Sequence, residues 1–126
     1  INLKIKKMSH FRKILVWQKS ITLVTKIYKA TSTFPKEEMF GLTSQIRRSS
    51  VSIPSNIAEG SGRESNKDFL RFLYISLGSI FEMQTQLEIA KNIIYLKEEE
   101  FNNLYEDSRE IERMLASLIR KLKDTN

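Results

Sequence analysis

From Phe69 to Phe81 the chain reads FLRFLYISLGSIF, with Arg71 as its only charge. Neither proline falls between Asn66 and Ile94, and apolar or small residues recur at alternating steps of four and three: Phe69, Leu73, Ser76, Ile80, Met83, Leu87, Ala90, Ile94. That spacing predicts one helix over about Asn66–Ile94, roughly 40 Å long at 1.5 Å per residue. Phe72, Tyr74, Ile75, Leu77 and Phe81 surround the seam. A helix apolar on nearly all sides needs cover on nearly all sides. In a single bundle one side of each helix faces water. The segment is therefore expected to be buried against another subunit as well, with Phe69, Phe72, Tyr74, Leu77 and Phe81 at that boundary. A central helix in a monomer is the alternative.

Three further helices fit around it. The first spans about Ile14–Thr31, with Trp17, Ile21, Val24 and Tyr28 as one apolar row and Val16, Leu23, Ile27 and Ala30 as a second. The second is expected from Pro35, which suits a first helical turn, to about Glu59. Met39, Leu42, Ile46, Ile53 and Ile57 supply its face, Glu37 and Glu38 suit its positive end, and Pro54 should kink it. Gly60 to Gly62 reads as a helix stop in the left-handed conformation, and Ser65 with Asp68 as a cap for the third helix. The last helix runs over about Glu98–Leu122, with Phe101, Leu104, Ser108, Ile111, Leu115, Leu118 and Leu122 on one face. Short connections make neighbours antiparallel. The fold class expected is all-α, an up-down-up-down four-helix bundle over residues 11–126, preceded by a flexible segment 1–10.

Charge is distributed unevenly. Residues 1–63 hold 12 Lys and Arg against 3 Asp and Glu, a net of +9. Residues 64–126 hold 9 against 12, a net of −3. A basic half suggests a polyanionic partner; a solvated surface, or basic helices docking on acidic ones, explains it equally well. The candidate phosphate contacts are Arg12, Lys13, Lys19, Lys26, Lys29, Arg47, Arg48 and Arg63. Adjacent residues on a helix point about 100° apart. That geometry allows one of Arg47 and Arg48 to face solvent while the other faces a subunit boundary, and an intersubunit ion pair is the competing role for either.

The residue inventory argues against catalysis. Cysteine is absent, which excludes a thiolate zinc site or a cysteine nucleophile and fits a reducing cytoplasm. Ser49, Ser50, Ser52 and Ser55 offer hydroxyls, but the only histidine, His10, stands in the N-terminal segment, and small residues on a bundle helix serve close packing. A di-iron bundle needs Glu-x-x-His on two helices, which one histidine cannot supply. Glu106 and Glu110 read as a solvated face. GSGRES lacks the Gly-Lys-Ser/Thr end of a nucleotide loop. No cofactor is implied, no apolar run is long enough to span a membrane, and Met8 is a candidate natural start.

Three stretches carry a resemblance: FRKILVWQKSITLVTKIY, FPKEEMFGLTSQIRRSSVSIPSNIAEGSGRES and DFLRFLYISLGSIFEMQTQLEIA. They resemble the bacterial four-helix-bundle family first noticed as proteins encoded within intervening sequences of 23S ribosomal RNA genes. The accessory variability determinant of diversity-generating retroelements belongs to the same family. The resemblance covers about Phe11–Leu122. It implies an antiparallel bundle assembled as a ring-shaped homopentamer. In the retroelement member it implies nucleic-acid binding through basic surfaces and association with a reverse transcriptase. Gln45, Arg47, Arg48, Asn56, Glu59, Gly60 and Arg63 carry over as residues of structural or interface importance. The reading is a non-enzymatic, cytoplasmic, oligomeric RNA- or DNA-binding protein, with a protein–protein adaptor for an acidic partner or a reverse transcriptase as the alternative.

Overall fold

The computed structural model describes residues 11–125. The expected flexible segment 1–10, with His10, lies outside the described residues. Four α-helices make up the fold: α1 Leu15–Thr31, α2 Leu42–Ser61, α3 Asn66–Asn92 and α4 Glu98–Asp124, with no strand among the described residues. Short 3-10 turns at Phe11–Lys13 and Lys36–Glu38 precede α1 and α2. Close backbone approaches join α1 to α2, α2 to α3, α3 to α4 and α4 to α1, while the backbones of the two diagonal pairs stay farther apart. The arrangement is consistent with a four-helix bundle around one core. Leu23 and Ile27, Ile46, Ile53 and Ile57, Leu73, Ile80 and Met83, and Ile111 and Leu115 come from the four helices in turn, all buried. Each such side chain contributes about 1.5–3 kcal/mol by leaving water.

α1 turns a different face inward from the row read first. Val16, Ser20, Leu23, Ile27 and Thr31 are buried, whereas Ile21 and Tyr28 are exposed and Trp17 and Val24 half-buried. The second row, Val16, Leu23 and Ile27, is the one at the core, joined there by two hydroxyl residues. Ser20 Oγ donates to Trp17 O at 2.8 Å and Thr31 Oγ1 to Ile27 O at 2.8 Å, so both enter the core with their polar groups satisfied.

α2 begins later than Pro35. That residue leads into the turn Lys36–Glu38, and the helix starts at Leu42, leaving Met39 and Phe40 outside it and exposed. Glu38 still serves the helix start, because its Oε1 accepts a hydrogen bond from Leu42 N at 3.1 Å. Its Oε2 accepts from the Tyr95 hydroxyl at 3.0 Å, which ties the turn to the α3–α4 connection.

At the end of α2 it is the size of one glycine that matters. Gly62 has φ −84°, an ordinary right-handed value, and no described glycine has positive φ. Gly60 is the critical one: a Cβ there would lie 2.7 Å from Phe72 Cβ and 2.9 Å from Phe69 Cδ1. Close approach of α2 to α3 requires its bare backbone. The rest of that seam is small and polar. Ser76 Oγ donates to Ile53 O at 2.9 Å, Ser79 Oγ to Ser52 Oγ at 2.8 Å, and Ser49 Oγ to Gln86 Oε1 at 2.7 Å. No buried side-chain nitrogen or oxygen among the described residues lacks a partner.

α3 starts as its sequence suggests, with Ser65 Oγ accepting from Asp68 N at 3.1 Å. Its seam is buried from Phe69 through Ala90, but Ile94 is not its last member. Ile94 lies beyond the helix at φ 66° and is 85% exposed, the only non-glycine residue of positive φ among those described. Tyr95 N and Leu96 N both bond back to Ala90 O, at 2.8 and 3.3 Å, and turn the chain there. α4 follows its expected seam to Leu115. Ile119 is then buried while Leu118 and Leu122 are partly covered, the drift that a 3.6-residue turn imposes on a seven-residue repeat.

Gly60→Ala should lower unfolding stability by about 1–3 kcal/mol, as overpacking does, because neither the Phe72 Cβ nor the α2 backbone can yield freely. Urea unfolding followed by circular dichroism measures the loss.

Candidate nucleic-acid interface

The eight basic candidates divide into three groups. Lys19 and Lys26 project from α1 onto α4. Lys19 Nζ lies 3.3 Å from Glu110 Oε1, and Lys26 Nζ lies 2.6 Å from Asp107 Oδ2. For these two, the docking of a basic helix on an acidic one is the observed role, and Glu110 is one of its partners instead of part of a free solvated face. The pairs are half-exposed, a setting in which ion pairs contribute about 0–1 kcal/mol each. Arg63 pairs with Glu59 one turn earlier at 3.5 Å, and its guanidinium lies 4.8 Å from the Phe72 ring centre. Arg71 covers the same ring at 4.6 Å.

Arg47 clamps two helices together. Its Nε donates to Thr31 Oγ1 at 2.9 Å, its Nη2 to Tyr28 O at 3.4 Å, and its guanidinium stacks 4.6 Å from the Tyr28 ring centre. Thr31 is thereby used twice, since its hydroxyl also bonds Ile27 O. No carboxylate pairs with Arg47 among the described residues. The third group is Arg12, Lys13, Lys29 and Arg48, all exposed and without an ion pair to any described residue. Arg12 lies 5.7 Å from the Phe11 ring centre. Arg12 and Lys13 precede α1 and Lys29 lies near its other end, about 24 Å away at the helical rise per residue.

Two grooves flank the last turns of α1. One, of about 900 Å³, runs between Lys26, Lys29, Ile94, Tyr95, Lys97 and the first turns of α4. The other, of about 450 Å³, is lined by Tyr28, Met39, Phe40, Thr43, Ser44, Arg47, Arg48 and Val51. Sequence reading missed Phe40 and Lys97 as members of these surfaces. Phe40 offered one signal, a large apolar residue between Met39 and Gly41 that lies off the apolar face expected for the second helix. Near the first groove, the Glu38 carboxylate that accepts the Tyr95 proton holds that phenol above its usual range, and partial burial and repulsion from Glu38 and Glu37 push the same way.

The expected boundary residues also divide. Phe69 and Phe72 are already buried inside the chain against Gly60, and Leu77 is partly covered, so the first two do not offer a free surface. Tyr74 and Phe81 are each 46% exposed, Ile75 lies beside them, and the α3 surface at Gly78 is open. On α2, Ser49, Ser50 and Ser52 are engaged in packing, while Ser44 and Ser55 are exposed. Ser49 donates to Gln86 Oε1, with Ile46 O a longer alternative acceptor, Ser50 donates to Arg47 O, and Ser52 accepts from Ser79 and Asn56. Among the described residues no three acidic or imidazole groups converge as a metal site would require, and no helix is long and apolar enough to cross a membrane.

The two neighbouring arginines should separate in a stability measurement. Arg47→Ala should cost about 1–2 kcal/mol, through lost charged hydrogen bonds and the stack on Tyr28, whereas Arg48→Ala should stay within about 0.5 kcal/mol of the parent. Equal effects would contradict the assignment of Arg47 as the clamp.

Comparison with known proteins agrees with this architecture. A solved structure of a protein with unknown function from the S23 ribosomal protein family of Bacteroides thetaiotaomicron is 31% identical. It covers 83% of this chain and 98% of its own, with a TM-score of 0.76. No curated protein matches the chain. The family model described as 23S rRNA-intervening sequence protein matches residues 12–117, nearly the whole described chain, and the protein belongs to that family.

Proposed function

We propose that this protein is a non-enzymatic, oligomeric nucleic-acid-binding bundle of the bacterial cytoplasm that holds the phosphates of RNA or DNA through its unpaired basic residues. The observation that carries the reading is the group Arg12, Lys13, Lys29 and Arg48, exposed with no ion pair to any described carboxylate, in the half of the sequence whose net charge is +9. Phosphate contacts of this kind give affinity without base sequence and a strong dependence on salt. Membership of the family described as 23S rRNA-intervening sequence protein suits an RNA partner.

The proposal includes the assembly. The helices are arranged antiparallel, up-down-up-down. The contacts Ser49–Gln86, Ser52–Ser79 and Gly60–Phe72 support this, since their α2 members rise in number as their α3 members fall. Subunits join as a ring-shaped homopentamer through the α3 surface of Tyr74, Ile75, Gly78 and Phe81, half-exposed apolar residues that an isolated chain leaves in water. A ring repeats each basic group around its axis and multiplies a weak affinity. A second reading, an adaptor for a reverse transcriptase like the accessory variability determinant, draws support from Ile93 and Ile94, exposed apolar residues for which phosphate binding has no use.

Binding of the nuclease-treated protein to a structured RNA and to a DNA duplex should weaken about a hundredfold between 50 and 200 mM salt, the loss expected for about four phosphate contacts. Changing Arg12, Lys13, Lys29 and Arg48 together to Glu should abolish binding while the helical circular dichroism persists. Binding that survives this change, or that is absent at low salt, rejects the reading. Phe81→Lys should convert the ring to monomers, seen by light scattering.

A further inference from the structure

Phe40 is 93% exposed, the most exposed large apolar side chain among the described residues. It projects beside the 450 Å³ groove that also holds Tyr28, Met39, Arg47, Arg48 and Val51. Backbone phosphate binding does not require an aromatic ring held in water. The groove's lining also contains no carboxylate, while it contains two guanidinium groups. This lining complements a ligand that is anionic and has a flat apolar surface to place against rings.

The Arg47 guanidinium is fixed before any ligand arrives. It is stacked on Tyr28 at 4.6 Å and held by Thr31 Oγ1 at 2.9 Å, with its Nη1 left unbonded among the described residues. A donor held in place loses little freedom when it takes a phosphate oxygen. Arg48 adds a second positive charge that no described carboxylate neutralises. A groove of 450 Å³ is of small-ligand size, short for a partner helix laid lengthwise, and this all-helical chain has no described sheet edge for an extended peptide.

We infer that this groove binds single-stranded RNA or DNA, with an unstacked base on the Phe40 ring and the adjoining phosphate on Arg47 and Arg48. The inference rests on the nucleic-acid reading above and narrows it. A duplex keeps its bases stacked inside and can use only the phosphate contacts, whereas a single strand offers a base face to an aromatic ring. The groove thus distinguishes strand form without reading sequence.

The test measures affinities of the full-length protein for a fluorescein-labelled oligouridylate and for a duplex of equal length, at one fixed salt concentration. Phe40→Leu keeps an apolar side chain and removes the ring, and Phe40→Tyr keeps the ring. Phe40→Leu should weaken single-strand binding about tenfold, in line with the loss of one base–aromatic stack, and change duplex binding less than about twofold. Phe40→Tyr should bind as the parent does, and the salt slope should be the same in all three proteins because no charge is altered. A Phe40→Leu protein that binds the single strand like the parent, or loses both forms equally, overturns the groove assignment and leaves the phosphate reading standing. Displacement of the oligouridylate by an acidic, aromatic-bearing peptide in a Phe40-dependent manner assigns the groove to a protein partner and overturns it too. A parent protein that binds neither form removes the broader reading and this one with it.

Discussion

The approach of α2 to α3 governs the rest of the molecule. It is the most extensive helix contact in the chain, and it is built from residues chosen for smallness. Gly60 admits Phe69 and Phe72, and serines at 52, 76 and 79 exchange hydrogen bonds across the gap. Hydroxyls that find partners across or within helices can be buried without the penalty of an unsatisfied group. Such a seam is narrow, so α3 sits deep and draws in Leu73, Ile80, Met83 and Leu87. What remains outside on α3 is the half-exposed line of Tyr74, Ile75 and Phe81. The same seam orients α2 so that Arg47 reaches α1 while Arg48 turns to solvent.

Electrostatics then sorts the basic half of the sequence. α1 lies against α4, whose Asp107 and Glu110 meet Lys26 and Lys19. These half-exposed pairs are individually weak. They set which side of α1 is neutralised and which keeps free charge. Lys29, Arg47 and Arg48 gather with Lys97 around the grooves at the end of α1, and two of the most exposed apolar residues, Phe40 and Ile94, line those grooves. Charge and apolar surface thus meet at one end, a combination that neither solubility nor core packing asks for.

Periodicity made α3 and α4 legible in the sequence, because each carries a long regular seam uninterrupted by proline. α1 offered two rows of equal quality. The inward face also carries Ser20 and Thr31, whose hydroxyls are satisfied by their own helix, and a hydropathy pattern counts those residues as polar. The start of α2 was obscured because Pro35 followed by two glutamates suits an α-helical first turn and a 3-10 turn alike. The glycines were placed correctly at the helix end but for the wrong cause, since steric room around Gly60 depends on Phe69 and Phe72 across the turn. The division of the basic residues was not legible. Lys26 and Asp107 stand 81 positions apart, and only the fold brings them together.

Native-state hydrogen exchange tests the central place of the α2–α3 seam most directly. Amides at Ile53, Ile57, Leu73 and Ile80 should exchange only through global unfolding, while those of α1 and of both ends of α4 exchange through smaller, local openings. Exchange of the α2 amides before those of α1 and α4 would contradict the account, because the element said to position the others would then be the first to leave.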